Sequence, residues 1–360
     1  MENVVYSIAA AVIGLGLLIV FHEFGHFLLA KLSGVGVLTF SVGFGPKLWV
    51  MKKGETEYAI SAFPLGGYVK MVGEDPDEEV QQAEIEKSFA HKSLLKRIAI
   101  VVAGPGFNLL LAVFLFMVVF TFYGVPVMST QVSGVEKGSP AERAGIAKGD
   151  RILAIDGDAV KEWEELSKKI KGSGGRALNL QIRRGEETKS ITVQPTQKEG
   201  RNIFGERKDD WIIGIGSQVS IEKGNPGLAV VKAVYQTYDY AKLTLMAFYK
   251  MLLGDVSPRN IGGPILIAQM AGQQAQEGLG SFLAFLAVLS INLGVLNLLP
   301  VPVLDGGHLL FFLVEAVTRK PVAVKYREVA QQVGICLLAL LMVYAFYNDI
   351  VRFFEKQVGG

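Results

Sequence analysis

Charge is scarce in this chain of 360 residues: Asp, Glu, Lys and Arg make up 19% of it, against about 25% in an average soluble domain. The deficit gathers in long stretches with no ionisable side chain, which excludes an ordinary soluble globule and a disordered chain. Cysteine is nearly absent. Cys336 stands alone, so no intrachain disulfide forms and a disulfide-stapled secreted module is excluded. Neither sign of charge is in excess: 36 Lys and Arg face 34 Asp and Glu, a formal net charge of +2. No basic field for nucleic acid follows from that balance. Histidine is rare too, with four in the chain. Half of the residues are hydrophobic and the mean hydropathy is +0.35, the composition of an integral membrane protein.

A helix needs about 20 mostly apolar residues to cross the hydrocarbon layer. Four stretches read as spans: Val4 to about Ala30, Ile98 to Tyr123, roughly Phe282 to Leu299, and about Val333 to Tyr347. The first is too long for a signal-peptide core and has neither a basic start nor a small-residue cleavage site. Between the first two spans, Gly34 to Met71 alternates short apolar runs with glycines, Pro46 and Pro64, around a Lys53-Gly54-Glu55 turn signal. That pattern predicts a small β-sheet or hairpin pair. The acidic stretch Glu74 to Glu86 reads as a solvated loop or surface helix. From Val125 to about Pro195 the composition is that of a soluble α/β module, with a short helix opening at Gly138-Ser139-Pro140-Ala141, helical spacing over Val160 to Ile170, and a hairpin about Gly185. Leu228 to Leu253 is amphipathic, with the pattern of an interfacial helix or one packed against the module rather than a span.

Eight segments follow. They are a first span over 1–33, a membrane-associated β region with its acidic loop over 34–93, and a second span over 94–124. The α/β module occupies 125–217, an amphipathic helix and connector 218–280, and a third span 281–303. A loop with a short helix over 304–327 and a fourth span with a tail over 328–360 complete the chain. Lys31, Lys92, Lys96 and Arg97 flank the first loop, and Arg319, Lys320, Lys325 and Arg327 fill the loop between the third and fourth spans. The positive-inside rule places both loops in the cytoplasm and both termini outside, with the module outside as well.

His22-Glu23-Phe24-Gly25-His26 is an HExxH pattern. On a helix, residues four apart share a face, so both imidazoles can bind one Zn²⁺ with Glu23 beside them as a base. The pattern also occurs by accident in soluble helices. Here it holds two of the four histidines inside an apolar helix, where a carboxylate costs about 2.5–3.5 kcal/mol. Intramembrane ionisable residues at that cost mark function. A catalytic zinc site needs three protein ligands and one open position. Asp305, in Leu304-Asp305-Gly306-Gly307 just after the third span, falls on the same cytoplasmic side as His26, although Asp there is also an ordinary helix N-cap. Glu315 and His308 are weaker alternatives for the third ligand.

HEFGH at 22–26, AGPGFN at 103–108, the α/β module and NLGVLNLLPVPVLDGGH at 292–308 occur in that order. Together they resemble the site-2 protease family of intramembrane zinc metalloproteases, of the bacterial regulator-of-sigma-E type, over essentially the whole chain. The resemblance implies a polytopic α-helical membrane protein with four transmembrane helices, a membrane-associated β-hairpin after the first helix, and one inserted α/β PDZ-like domain. It implies Zn²⁺ on His22, His26 and Asp305, with Glu23 as the catalytic residue. It further implies substrate handling by Asn292, Asn297, Pro300 and Pro302. Separately, the glycines of 103–108 read as permitting close helix approach, with Asn108 as an interhelical hydrogen bonder. The implied location is the bacterial cytoplasmic (inner) membrane, with the active site near the cytoplasmic side. The implied partners are membrane lipid and single-span membrane proteins of the anti-sigma factor type, with remnant signal peptides as further candidates. Peptide or substrate contact falls to the PDZ-like module, where Ile213-Gly214-Ile215-Gly216 is the candidate carboxylate-binding loop. Many relatives of this type carry two tandem PDZ domains, whereas 125–217 holds one. Two rival readings stand beside this one: a membrane zinc protease with a downstream Glu ligand acting on soluble or lipidated chains, and a non-catalytic membrane PDZ scaffold.

Overall fold

The computed structural model describes residues 2–74, 81–201, 207–222 and 225–358. In chain order it forms α1 (Glu2–Leu32), β1 (Val37–Lys53), β2 (Thr56–Met71), α2 (Leu94–Phe122), β3 (Val125–Val135), α3 (Pro140–Arg143), β4 (Arg151–Ile155), β5 (Asp158–Ala159), α4 (Trp163–Lys171), β6 (Leu178–Arg184) and β7 (Glu187–Val193). It continues with β8 (Thr196–Arg201), β9 (Arg207–Ile212), β10 (Ile215–Glu222), α5 (Pro226–Leu253), α6 (Pro264–Glu277), α7 (Leu279–Asn297), α8 (Asp305–Thr318) and α9 (Val324–Val358). Within the acidic stretch, 75–80 lie outside the described residues, and Gln82–Lys87 is a short 3-10 helix. The chain divides into two compact units: the helices α1, α2 and α6–α9 with most of α5 and the β1–β2 hairpin, and separately the module built on β3–β10.

Among the described residues, four helices of the first unit are long and apolar enough to cross a membrane: Val4–Leu32, Leu94–Phe122, Leu279–Asn297 and Val324–Glu355. The last extends well past the apolar run at 333–347, because Lys325, Arg327 and Arg352 belong to helical turns that a hydropathy reading stops short of. α5 packs on these helices. Its Tyr240 stacks on Phe116 of α2, with ring centroids 5.9 Å apart, and its Thr244 hydroxyl donates to Asn292 of α7 at 2.7 Å. α6 forms within the stretch read from composition as a connector. It lies against α1 through small residues, with Ala10, Ala11 and Ala271 buried together, the contact that lets helices approach closely where no water drives them together. Its first turn is capped from α9. The buried Asp349 carboxylate accepts the N–H groups of Gly263, Ile265 and Leu266 at 2.9–3.0 Å, satisfying donors that a helix start leaves open.

The hairpin pairs in two layers of register. Thr39–Val42 faces residues 67–70 on one side and 57–60 on the other, while 47–53 pair with 56–61. Segment 67–71 therefore forms one edge of this sheet. Val37, Val69 and Met71 bury with Ala30, Ile100 and Phe312, which fixes that edge against α1, α2 and α8.

In the second unit β10, β3, β4, β6 and β7 form one sheet in that order, with β5 on β4. Leu178, Leu180 and Ile182 alternate inward along β6 and are fully buried with Leu166 of α4 and Ile152, the period-2 pattern of a strand with one covered face. The sheet does not stop at 217. β10 stays paired with β3 as far as Glu222 opposite Val125; residues 218–222 are exposed on both faces, so no buried face marks the strand there. Ile213 to Gly216, with Trp163, Ile170 and Trp211, line a cavity of about 360 Å³ beside α4.

One carboxylate in this unit sets a pH limit. Asp150, 1% exposed, accepts from Arg184 Nε and Nη2 at 2.7 and 2.8 Å and from the Ala147 N–H at 2.8 Å. The Arg184 guanidinium, helped by that N–H, holds the Asp150 carboxyl below the usual carboxylate range despite its burial. A depressed folded-state pKa contributes stability that is present above the unfolded value, about 4, and is lost as pH falls through the folded one. Amide exchange on the intact chain is expected to show protection of β4 and β6 falling as pH drops below about 4. Asp150→Asn should remove both that dependence and about 2 kcal/mol. Unchanged protection in the variant would refute the assignment.

Candidate metal centre

α1 forms because residues 4–32 are a mostly apolar run, and its 3.6-residue period brings His22 and His26 onto one face. α2 crosses close beside them because Gly25 and Gly104 have no side chains: a Cβ on Gly25 would stand 2.4 Å from the Ala103 carbonyl oxygen. α7 ends at Asn297, and the Pro300-Val301-Pro302 turn leads straight into α8, whose first residue is Asp305. Gly306 and Gly307 let that turn fold back on itself, since Cβ atoms there would meet the Leu299 and Val301 carbonyls at 2.1 and 2.4 Å.

α1 and α8 bring together the ligand set expected of a zinc protease. His22 Nε2 lies 3.2 Å from Asp305 Oδ2, His26 Nε2 lies 3.4 Å from Asp305 Oδ1, and the two Nε2 atoms are 3.2 Å apart. Ligands about 2.0–2.1 Å from a tetrahedral zinc ion stand about 3.3 Å from one another, so the residues fit that ion. Among the described residues this is the one cluster of at least three His, Cys, Asp or Glu side chains close enough to share a metal. The outer ring nitrogens are engaged as well. His26 Nδ1 bonds the Ile100 carbonyl at 2.9 Å and His22 Nδ1 meets the Asn108 carboxamide at 3.0 Å, the second-sphere contacts that orient metal-ligating imidazoles.

The cluster opens into a cavity of about 960 Å³ whose wall includes Glu23, Gly67, Tyr68, Asn297 and His308. Glu23 lies against the sheet edge, where a Cβ on Gly67 would come 2.8 Å from its Cγ. Asn297 reaches the cluster, with Nδ2 3.4 Å from His22 Nε2. Asn292 is engaged elsewhere, its carboxamide oxygen accepting from Thr244. Pro300 and Pro302 shape the turn before Asp305 rather than the wall. Glu315 is drawn away by Arg97, which donates two hydrogen bonds to it, one of 3.1 Å, and lies over the Phe312 ring. His308 lines the cavity without joining the cluster.

Gly104 is the position that a sequence reading undervalues. Its glycine looks like a packing device, yet a Cβ there would stand 2.2 Å from His26 Nε2 and 2.9 Å from His22 Nε2, so any side chain would press on the two nitrogens that face the cluster. Gly104→Ala is therefore expected to weaken zinc binding by at least 10- to 100-fold, the scale of losing a supporting contact. Gly106→Ala, where a Cβ meets nothing within 4 Å, should leave it unchanged. Metal content after dialysis against a graded chelator reads both, and equal retention would contradict the geometry.

Residues 10–341 match the model of peptidase family M50. A Rhizobium meliloti protein provisionally named a zinc metalloprotease is 37% identical, over 97% of this chain and 98% of its own. Protease RseP of Yersinia pestis and zinc metalloprotease RasP of Geobacillus kaustophilus are each 31% identical, over 98% of this chain and all of theirs.

Proposed function

The chain belongs to peptidase family M50, and from that membership we propose that His22, His26 and Asp305 hold the ion of this zinc metalloprotease while Glu23 handles the proton. The observation that carries the assignment is the triangle of ligand atoms 3.2–3.4 Å on a side with Glu23 beside it in the cavity. Zinc, when bound, supplies Lewis-acid chemistry, polarising the scissile carbonyl and making water nucleophilic near neutral pH. Glu23 takes the proton of the attacking water and returns it to the leaving amine. His26 donates its Nδ1–H to the Ile100 carbonyl, which holds the ring in one tautomer with Nε2 inward.

The substrate class is a single membrane-spanning segment, of the anti-sigma factor type or a remnant signal peptide. A transmembrane helix hides its peptide groups in i→i−4 hydrogen bonds, so it must unwind before attack. Unwound backbone in lipid needs protein partners. The 67–71 edge offers them by strand addition, and it lines the same cavity as Glu23. Asn297 donates to the extended backbone, and the turn through Pro300 and Pro302 places it beside the ion. The site opens near the cytoplasmic face of the inner membrane with both termini outside, as the Lys and Arg distribution favours. The module is PDZ-like and takes peptide beside Ile213 to Gly216, or excludes substrates with bulky outer domains.

The test is cleavage by the purified protein in liposomes of tagged one-span peptides against soluble peptides of matched sequence. Hydrolysis confined to the one-span set, abolished by a chelator and restored by Zn²⁺, is expected. Cleavage that survives chelation would overturn the reading, and preference for the soluble set would favour a chamber protease instead.

A further inference from the structure

α2 supplies the outer hydrogen-bond partner of both imidazoles, but by two different means. For His26 the partner is the backbone carbonyl of Ile100, 2.9 Å from Nδ1. A carbonyl only accepts, so that ring must carry its proton on Nδ1 and present the Nε2 lone pair to the cluster. For His22 the partner is a side chain, the carboxamide of Asn108, two helical turns further along α2 and completely buried. A carboxamide both donates and accepts, and its two ends have nearly the same shape, so hydrogen-bond logic decides which faces the ring.

With Nδ2 toward His22 Nδ1, at 3.0 Å, the ring would accept there and carry its proton on Nε2. That is the atom 3.2 Å from both Asp305 Oδ2 and His26 Nε2, and the proton would occupy the lone pair a metal requires. The same orientation leaves Asn108 Oδ1 buried without a partner among the described residues. The ring therefore decides the orientation of the amide. We infer that Asn108 is a positioning residue for the metal: its Oδ1 accepts the Nδ1–H of His22 and so frees the His22 Nε2 lone pair for zinc. The inference rests on the zinc reading above. The Asn108 backbone is held for this task from α7, where the Ser290 hydroxyl donates to the Asn108 carbonyl at 2.8 Å. Gly294 admits the close approach; a Cβ there would already stand 3.3 Å from Asn108 Cβ.

An aspartate at this position accepts and cannot donate when ionised, whereas a leucine of similar size does neither. Zinc dissociation constants of the full-length wild type, Asn108→Asp and Asn108→Leu, measured by competition with a chromophoric chelator, separate the possibilities. The unfolding temperature of each metal-free protein reports packing alone. Asn108→Leu is expected to bind zinc 10- to 100-fold more weakly, while Asn108→Asp stays within a few-fold of wild type. Wild-type affinity in Asn108→Leu overturns the inference. So does a loss in Asn108→Asp as large as the leucine loss, because a donor or a packing role would produce it. If Asn108→Leu does not fold, Asn108→Asp alone decides: retention supports the acceptor role and a loss of tenfold or more refutes it. A wild-type protein that binds no zinc sinks the metal reading itself and this inference with it. Tight wild-type binding with an indifferent leucine sinks the inference alone.

Discussion

Glu23→Gln protein is expected to retain its zinc and its fold and to cut a one-span substrate at least about 10³-fold more slowly, within the range that general acid–base groups contribute. Such a loss corresponds to about 4 kcal/mol of transition-state stabilisation. The substitution isolates proton handling because the space around the side chain is tightly defined. Glu23 follows the buried His22 on α1 and lies against the 67–71 edge, where only a glycine at 67 leaves room for its Cγ. Glutamine has the same shape and fills the same space, so neither α1 nor the strand edge need shift. What it lacks is a basic carboxylate: the amide can hydrogen-bond a water but cannot take its proton. Single-turnover cleavage, read beside the zinc content of the same preparation, separates the two roles. A variant that keeps its metal and still cleaves at wild-type rate would remove Glu23 from the chemistry. One that loses its metal would instead make Glu23 part of the ion's support.

The sequence exposes this site unusually well because membrane insertion makes ionisable residues costly. His22, Glu23 and His26 stand out in an apolar run, and Asp305 stands out beside two prolines and two glycines. The spans are legible for the same reason, down to the helix ends, where polar turns such as those at Lys325 and Arg352 blur the limits. Other features are less open to such a reading. α6 escapes because a short helix rich in Ala and Gln packs through small residues that announce no apolar stripe; it is fixed by a partner far along the chain, the Asp349 carboxylate on α9. The end of β10 escapes because residues 218–222 are exposed on both faces, with no buried side to set a pattern. Gly104 and Gly67 look interchangeable with the other glycines of this chain, which has 41. Only three-dimensional proximity shows that one borders the imidazoles and the other borders Glu23. Asn108 is legible as a buried hydrogen bonder, but its partner is not.

Replacing Asp305 decides between the two ways in which an HExxH membrane protease can complete its ligand set. In Asp305→Ala protein zinc affinity is expected to fall well beyond the 10- to 100-fold cost of losing an outer-sphere partner, because one of three protein ligands is gone. Cleavage should fall with it. The geometry requires this outcome: the carboxylate places one oxygen 3.2 Å from His22 Nε2 and the other 3.4 Å from His26 Nε2, so it alone closes the triangle. It cannot easily be replaced by a neighbour. Glu315 is committed to Arg97 in a pair of which each side chain is less than one-fifth exposed, and breaking a buried pair costs about 3–5 kcal/mol. His308 lies on the cavity wall outside the cluster. Glu315→Gln is the matching control, expected to lower thermal stability while leaving zinc stoichiometry at that of the wild type. Metal analysis of the two variants gives opposite answers under the two ligand sets. Full zinc retention in Asp305→Ala together with loss in Glu315→Gln would transfer the third ligand to the downstream glutamate.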